Sequence, residues 1–518
     1  MKNTLPPHPL ESFGGEHYIA PAIHLSISHP AARAALAFVA GAISVLSFSP
    51  FDFSPLAPLS LALLIHLFVT AAGSRAAFAS GFWFGLGLFG AGVSWVYISL
   101  SRFGSMPPLL AGIATLGFCA GLALLPALVG ALQARLRAPA ALRAALVIPA
   151  LWTLAEWLRG IILTGFPWLA TGYAALDWPL AGYAPIGGVN SSSLAILMGA
   201  GLLWCLVLGQ ARIAAFVALA ALLAGGAALG TLHHTTPLGE PVSVALLQGN
   251  VPQQLKFDPE RYARILETYA RLAEQSRARL IILPETAVPR FFDLIDPAFL
   301  ARLAAAARAN DGDLLLGVPF RTAPGTYYNS VVSLGTSPQQ AYHKVHLVPF
   351  GEFVPPGFGW IVRVLSIPLS DFSRGTPGQA PLAVAGQRVA VDICYEDAFG
   401  AEIARVLPEA TLLVNVSNVA WFGDSLAPAQ HLQIARMRAL ETGRMMLTAT
   451  NTGVTAAIGA DGSVLARLPQ FVEGRLEVAA QGYSGATPYV RLGDWPVLAL
   501  CVLLLAAAFL IARTRHSR

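Results

Sequence analysis

Seven long apolar stretches occupy the first 232 residues of this chain, at about 31–49, 55–73, 77–100, 107–132, 140–164, 191–209 and 212–232. Nothing else constrains the fold as much. A helix needs about 20 apolar residues to cross roughly 30 Å of hydrocarbon, where each backbone polar group must be satisfied inside its own segment. Most of the stretches reach that length; the first two are shorter and are joined by the Pro-rich turn "SPFDFSP". An eighth apolar run, in "DWPVLALCVLLLAAAFLIARTRHSR", lies at about 494–512. Only 12% of the residues are charged, against about a quarter in soluble domains. The chain therefore reads as a polytopic α-helical membrane protein with about eight transmembrane helices. Seven fall in a membrane domain at 31–235, a polar domain is inserted at 240–483, and the last helix follows at 494–512. Residues 1–30 read as an irregular cytoplasmic tail. They hold no short apolar run with a small-residue cleavage site, so the first apolar run is expected to remain as an anchor.

Arginines set the expected orientation. Alternate loops carry Arg75, then Arg135, Arg137 and Arg143, then Arg212, and finally Arg513, Arg515 and Arg518. The opposite loops hold little beyond Arg102 and Arg159. The positive-inside rule puts both termini in the cytoplasm and the polar domain on the periplasmic side of a bacterial inner membrane. Glu156 and Arg159, near Trp157 and Trp168, are expected as interfacial anchors at an outer helix end, with a lipid headgroup contact as the sharper reading. The net charge of +5 is modest and no basic run tracks a phosphate backbone, so nucleic acid is not an expected partner.

The polar domain alternates strands and helices, the pattern of a layered α/β or α+β domain whose strand order periodicity alone does not fix. Strands are predicted at "VSVALLQGNV", "ARLIILPETAVP", "DLLLGVPF", "RVAVDICYED" and "TLLVNVSN", and hairpins at "YYNSVVSLG…QQAYHKVHLVPF" and around "ADGS". Helices are predicted from Asp258, as N-cap with Pro259 behind it, over 297–309, and from about 428 to 444.

Three residues at predicted strand ends carry chemistry. Glu285 sits in "LPETAVP", Lys344 in "YHKVHLVPF" and Cys394 in "VDICYEDAFG". A buried carboxylate has a raised pKa, which suits a general base, and a thiol gains from such a base. Only three of the 33 basic residues are lysines, Lys2, Lys256 and Lys344, so an amine is marked at those places. Cys119, Cys205 and Cys501 lie in apolar runs; Cys394 alone lies in the polar domain, where it has no disulfide partner. No CxxC or Cys/His cluster points to a metal. Each residue also has a plainer reading: a solvated Glu, an incidental Lys, a core thiol.

Together the three resemble the Glu–Lys–Cys set of the nitrilase, or carbon–nitrogen hydrolase, superfamily. The stretches "LPETAVP", "YHKVHLVPFGEFVP" and "VDICYEDAFG" resemble most closely its membrane branch, the apolipoprotein N-acyltransferases. That resemblance implies a periplasmic αββα sandwich, with Glu285 as base, Lys344 as intermediate-stabilising amine and Cys394 as nucleophile. It implies supporting roles for Glu352, Tyr395 and Glu396, and places Asn329 and Trp421 near the pocket. Phe257 stands in "QGNVPQQLKF" where the family has Trp, and keeps an apolar face without the indole N–H. Phe350 and Phe353 belong to the apolar run at 349–369, which reads either as a loop dipping towards the bilayer or as an ordinary surface loop. The implied reaction moves an sn-1 acyl chain from a phospholipid to Cys394 as a thioester, then to the N-terminal amine of a diacylglyceryl apolipoprotein. No cofactor is implied, and nothing suggests more than a monomer.

Two other readings share some of these features. A membrane-tethered amidase would hydrolyse a small amide with the same three residues, but needs no lipid access. A transporter or sensor with a ligand-binding outer domain would need intramembrane charge that the apolar stretches largely lack.

Overall fold

The computed structural model describes residues 29–209, 211–354 and 371–516. The expected N-terminal tail and most of the 349–369 loop lie outside the described residues.

Apolar helices run over Pro30–Ser44, Leu56–Val69, Ser74–Gly92, Pro108–Arg135, Ala140–Arg159, Ala184–Leu208, Arg212–Gly230 and Trp495–His516. Among the described residues six spans are long and apolar enough to cross a membrane: Pro30–Ser47, Pro108–Arg135, Ala140–Arg159, Pro179–Leu208, Arg212–Gly230 and Trp495–Thr514. Ser74–Gly92 reaches that standard only together with Val96–Phe103, from which it is bent by 57°. Leu56–Val69 has 14 residues. The expected eight crossings are thus not all met by length. The stretch read as one helix over 77–100 breaks after Gly92, and at the break the buried Trp95 packs 4.6 Å from the Phe422 ring and donates its indole N–H to Gln430 at 3.1 Å. Helix Arg212–Gly230 buries only Ala215 and Gly226 and exposes Ile213, Phe216 and Val217, a surface suited to lipid. Close crossings depend on glycine. A Cβ at Gly41 would lie 2.0 Å from the Phe84 carbonyl oxygen, and one at Gly87 would lie 2.1 Å from that of Phe38.

Glu156 and Arg159 correct one expectation. They are 8% and 5% exposed, inside the bundle rather than at its rim. Glu156 accepts from the Trp152 indole (3.0 Å), the Thr171 N–H (2.9 Å), the Thr171 hydroxyl (2.7 Å) and the Ser193 hydroxyl (2.7 Å). Arg159 donates to the carbonyls of Phe166, at 2.8 Å, and Trp168. Charges in an apolar bundle are stable only when so paired. Their work is internal.

The extramembrane part contains two six-stranded sheets. The first has the order β12-β1-β2-β3-β4-β5, with β1 Thr235–Gln248, β2 Leu280–Ile282, β3 Asp313–Ala323, β4 Thr326–Gly335, β5 Ala341–His343 and β12 Gly474–Gly485. The second has the order β11-β10-β9-β8-β7-β6, with β6 Leu382–Val384, β7 Gln387–Ile393, β8 Leu412–Ser417, β9 Met446–Thr450, β10 Ala456–Ile458 and β11 Val464–Arg467. Side chains alternate along each strand. Val242, Val244 and Leu246 of β1 join Leu412, Val414 and Val416 of β8 in one core between the sheets. Ala245 and Leu247 face the opposite way, onto helices Pro259–Glu274 and Pro297–Arg308. Leu413 and Met446 do the same on the second sheet, under helix Ala427–Thr442. The result is the expected helix–sheet–sheet–helix sandwich. Asp258 caps its helix as predicted, accepting from the Glu260 N–H at 2.9 Å, a contact that contributes about 1 kcal/mol.

Helix Ala427–Thr442 also joins the sandwich to the bundle. The Gln430 carboxamide accepts from the indoles of Trp95 (3.1 Å) and Trp168 (2.7 Å) and donates to the Gly92 carbonyl at 3.0 Å. Tyr395 donates its hydroxyl to the Gly165 carbonyl at 2.8 Å.

Candidate active site

Each of the three chemistry-bearing residues follows the end of a strand, as the sequence suggested: Glu285 after β2, Lys344 after β5 and Cys394 after β7. Cys394 opens a 3-10 turn, Cys394–Ala398, with φ at +55°, a left-handed conformation that is unfavourable for a non-glycine residue. Its carbonyl oxygen is held by the Asn415 carboxamide at 3.0 Å and the His431 Nε2 at 3.2 Å. These contacts hold the turn, and the Cys394 residue is half-buried.

The acid–amine cluster is compact. Lys344 Nζ lies 2.8 Å from Glu352 Oε2 and 3.7 Å from Glu285 Oε1. Asn329 spans both carboxylates, donating to Glu285 Oε1 at 2.7 Å and to Glu352 Oε1 at 2.8 Å. The Asn418 N–H fixes the other Glu285 oxygen at 2.8 Å, and the Val348 N–H fixes Glu352 at 2.9 Å. Glu285, Lys344, Glu352 and Asn329 are all buried, so these contacts act with little screening by water.

Electrostatics separate the roles. Burial pushes the Cys394 thiol well above its ordinary range; Glu285 adds to this, and Lys344 opposes it. The resting group is therefore a thiol. Burial works against the Lys344 charge, but Glu352 and Glu285 together hold its pKa above the usual lysine value. Burial raises Glu396 to about 7 against the pull of Lys344 and three backbone N–H groups.

Glu396 is held by backbone N–H groups rather than by the acid–amine cluster. Its oxygens accept from the N–H groups of Val345 (2.7 Å), His346 (3.0 Å) and Ile393 (2.7 Å) and from the Tyr342 hydroxyl. It ties the Lys344 segment to the Cys394 turn. Tyr395 points towards the bundle, stacked over Trp168 at 6.4 Å. Of the residues grouped for lipid contact, Trp421 packs 5.9 Å from Phe103 of the bent helix pair, Phe257 is 43% exposed, and Phe353 lies under Arg374 at 4.8 Å. The Phe350 N–H donates to the Phe353 carbonyl at 2.8 Å, closing the turn that presents Glu352. Asn329 is set apart from this group by its two carboxylate partners.

Several neighbours were missed in the sequence. Asn418, Asn415 and His431 carry no distinguishing pattern. Lys256 did carry one, as one of three lysines, but nothing local placed it beside Glu285. Among the described residues, no group of three His, Cys, Asp or Glu side chains is arranged to hold a metal ion.

Two family models match the chain. One is described as apolipoprotein N-acyltransferase N-terminal domain, over residues 40–202, and the other as carbon-nitrogen hydrolase, over residues 243–489. A protein of Nitrosomonas europaea named apolipoprotein N-acyltransferase is 50% identical over 484 residues, covering 93% of this chain and 97% of that one. One of the same name from Methylococcus capsulatus is 45% identical over 489 residues, covering 93% and 96%.

Proposed function

Because the chain belongs to the apolipoprotein N-acyltransferase family, and so is an acyltransferase of lipoprotein maturation, we propose how its residues divide that work. Cys394 is the nucleophile, Glu285 the base and Lys344 the oxyanion-stabilising cation. In the first step the Cys394 sulfur attacks the sn-1 ester carbonyl of a phospholipid while Glu285 takes the thiol proton. The C–S bond forms, the C–O bond breaks, and Glu285 returns the proton to the departing lysophospholipid oxygen. In the second step the neutral α-amine of a diacylglyceryl-cysteine attacks the thioester. Glu285 takes the amine proton, the C–N bond forms, the C–S bond breaks, and the proton restores the thiol.

One observation carries this reading: a thiol kept protonated at rest by burial, acted on electrostatically by a carboxylate aimed by Asn329 and Asn418 and by an amine held charged by Glu352. A resting thiol needs a base, and the developing oxyanion needs a fixed cation. Such a donor contributes about 10²–10³ in rate. Tyr395 adds its backbone N–H as a second donor. Glu352 and Asn329 position; Glu396 ties the two loops.

In the same reading the bundle crosses an inner membrane eight times, with the bent pair and the short second helix each counted as a crossing. Both termini are cytoplasmic, and the sandwich faces the periplasm as a monomer. Phe257, Phe350, Phe353 and Trp421 line the lipid-facing approach. Reporter fusions after Arg137 and after Arg513 test this orientation, and periplasmic activity at either point overturns it.

The test of the chemistry is intact-protein mass spectrometry after incubation with phospholipid, wild type beside Cys394→Ser. One acyl chain, labile to hydroxylamine and absent from the variant, is expected. A folded wild type that gains no acyl mass sinks the proposal.

A further inference from the structure

Lys256 takes no part in the steps above, yet it is buried beside them. Its side chain is 2% exposed, and its ammonium donates to the backbone carbonyl of Glu285 at 3.2 Å. An ammonium has three N–H donors. Among the described residues, this one forms no ion pair with a carboxylate, whereas Lys344 forms two. A buried amine that gains so little locally is a poor structural filler, because taking its charge out of water is unfavourable unless it is paired. Methionine would occupy the same space without that penalty.

Its charge acts on the two groups that exchange a proton during attack, the Glu285 carboxylate and the Cys394 thiol. The site's two lysines are also driven apart. Glu352 and Glu285 keep Lys344 protonated despite burial, whereas burial outweighs Glu285 and Cys394 at Lys256 and lowers it to about 8. Divergent environments of this kind separate a fixed charge from one that titrates near the working pH.

We propose that Lys256 is the second cation of the acylation step, a positioning residue whose ammonium balances the charge of Glu285 and of the oxyanion forming at Cys394. No bond to Lys256 forms or breaks. With its proton present, Lys256 adds a second positive charge beside Glu285, while Lys344 keeps its pairing with Glu352. Without it, Lys344 alone faces both carboxylates and the oxyanion. This rests on Cys394 being the acylated group.

The pH dependence follows in sign. The required form is protonated, so acylation is fast below about pH 8 and falls as pH rises through that value. Burial drives Tyr342, Tyr395 and Cys394 upward and Lys344 stays charged, while Glu396, at about 7, titrates close by; because the Lys256 variants keep Glu396, loss of the alkaline fall in them assigns that fall to Lys256.

The experiment follows acyl-enzyme formation by intact mass from pH 6 to 10, using full-length protein in phospholipid–detergent micelles. Wild type is compared with Lys256→Gln, which keeps a donor for the Glu285 carbonyl but no charge, and with the apolar Lys256→Met. Both variants are expected to acylate at least about tenfold more slowly at pH 7, less than the loss of about 10²–10³ on removing a donor that touches the oxyanion, because Lys256 acts by its charge alone. Both should also lack the wild-type fall near pH 8. A folded variant within twofold of wild type, or one that keeps the alkaline fall, overturns the inference. So does a wild type without that fall. Absence of any adduct on wild type overturns the role of Cys394 instead, and a Cys394→Ser control separates the two failures.

Discussion

Replacing Asn329 by Ala removes a single side chain and tests whether the acid–amine cluster is organised as described. The carboxamide donates to Glu285 at 2.7 Å and to Glu352 at 2.8 Å, and it is 3% exposed. A hydrogen bond to a buried charge contributes about 1.5–3 kcal/mol. If the Glu285 bond alone is expressed in the barrier, at 1.36 kcal/mol per factor of ten, acylation slows by about 10–150-fold. The second bond is expressed mainly in stability, because Glu352 keeps Lys344 and the Val348 N–H as partners. The assay is the rate of thioester formation against phospholipid concentration, with a melting curve alongside. The maximal rate should fall while the half-saturating lipid concentration holds. An Asn329 that touched lipid would do the reverse. A maximal rate within threefold of wild type refutes the positioning argument.

Two further outcomes are expected. Lys344→Met leaves Glu285 and Glu352 buried without their shared cation; it should cost about 3–5 kcal/mol of stability, seen as a lower melting temperature, and an unchanged melt would refute the pairing. Burial raises Glu396 to about 7, so its protonated form favours the fold. Its stabilisation is complete below the unfolded value of about 4.3 and is lost as pH climbs to about 7. The melting-temperature gap between wild type and Glu396→Gln should narrow over that window, and a widening gap would reverse the sign.

The sequence exposed some of this architecture because certain signals are local. Asp258 followed by Pro259 marks a helix start wherever the helix later packs. Glu285, Lys344 and Cys394 were legible because each closes an apolar run, and strand ends are where a layered fold exposes side chains. What escaped notice was long-range. Strand β12, "GRLEVAAQGYSG", has three glycines and little alternation, and only its long antiparallel pairing with β1 makes it a strand. Glu156 and Arg159 looked like rim residues because their partners, Thr171, Ser193 and the Phe166 and Trp168 carbonyls, come from segments whose approach no periodicity announces. Lys256 lies 29 positions from the carbonyl it contacts. Its scarcity marked it; its place came from the fold.

Gln430 grips two indoles of the helical bundle, and the next residue, His431, reaches the carbonyl of Cys394. Two consecutive side chains on one helical turn thus connect the bundle to the Cys394 turn without a hinge between them. The height of the sulfur above the bundle is then set like a stop on a gauge. Lowering it would mean breaking the indole contacts and the carbonyl contact together. In the proposed reaction an ester carried by a lipid would then rise to that fixed height, so the travel in each turnover would belong to the substrates.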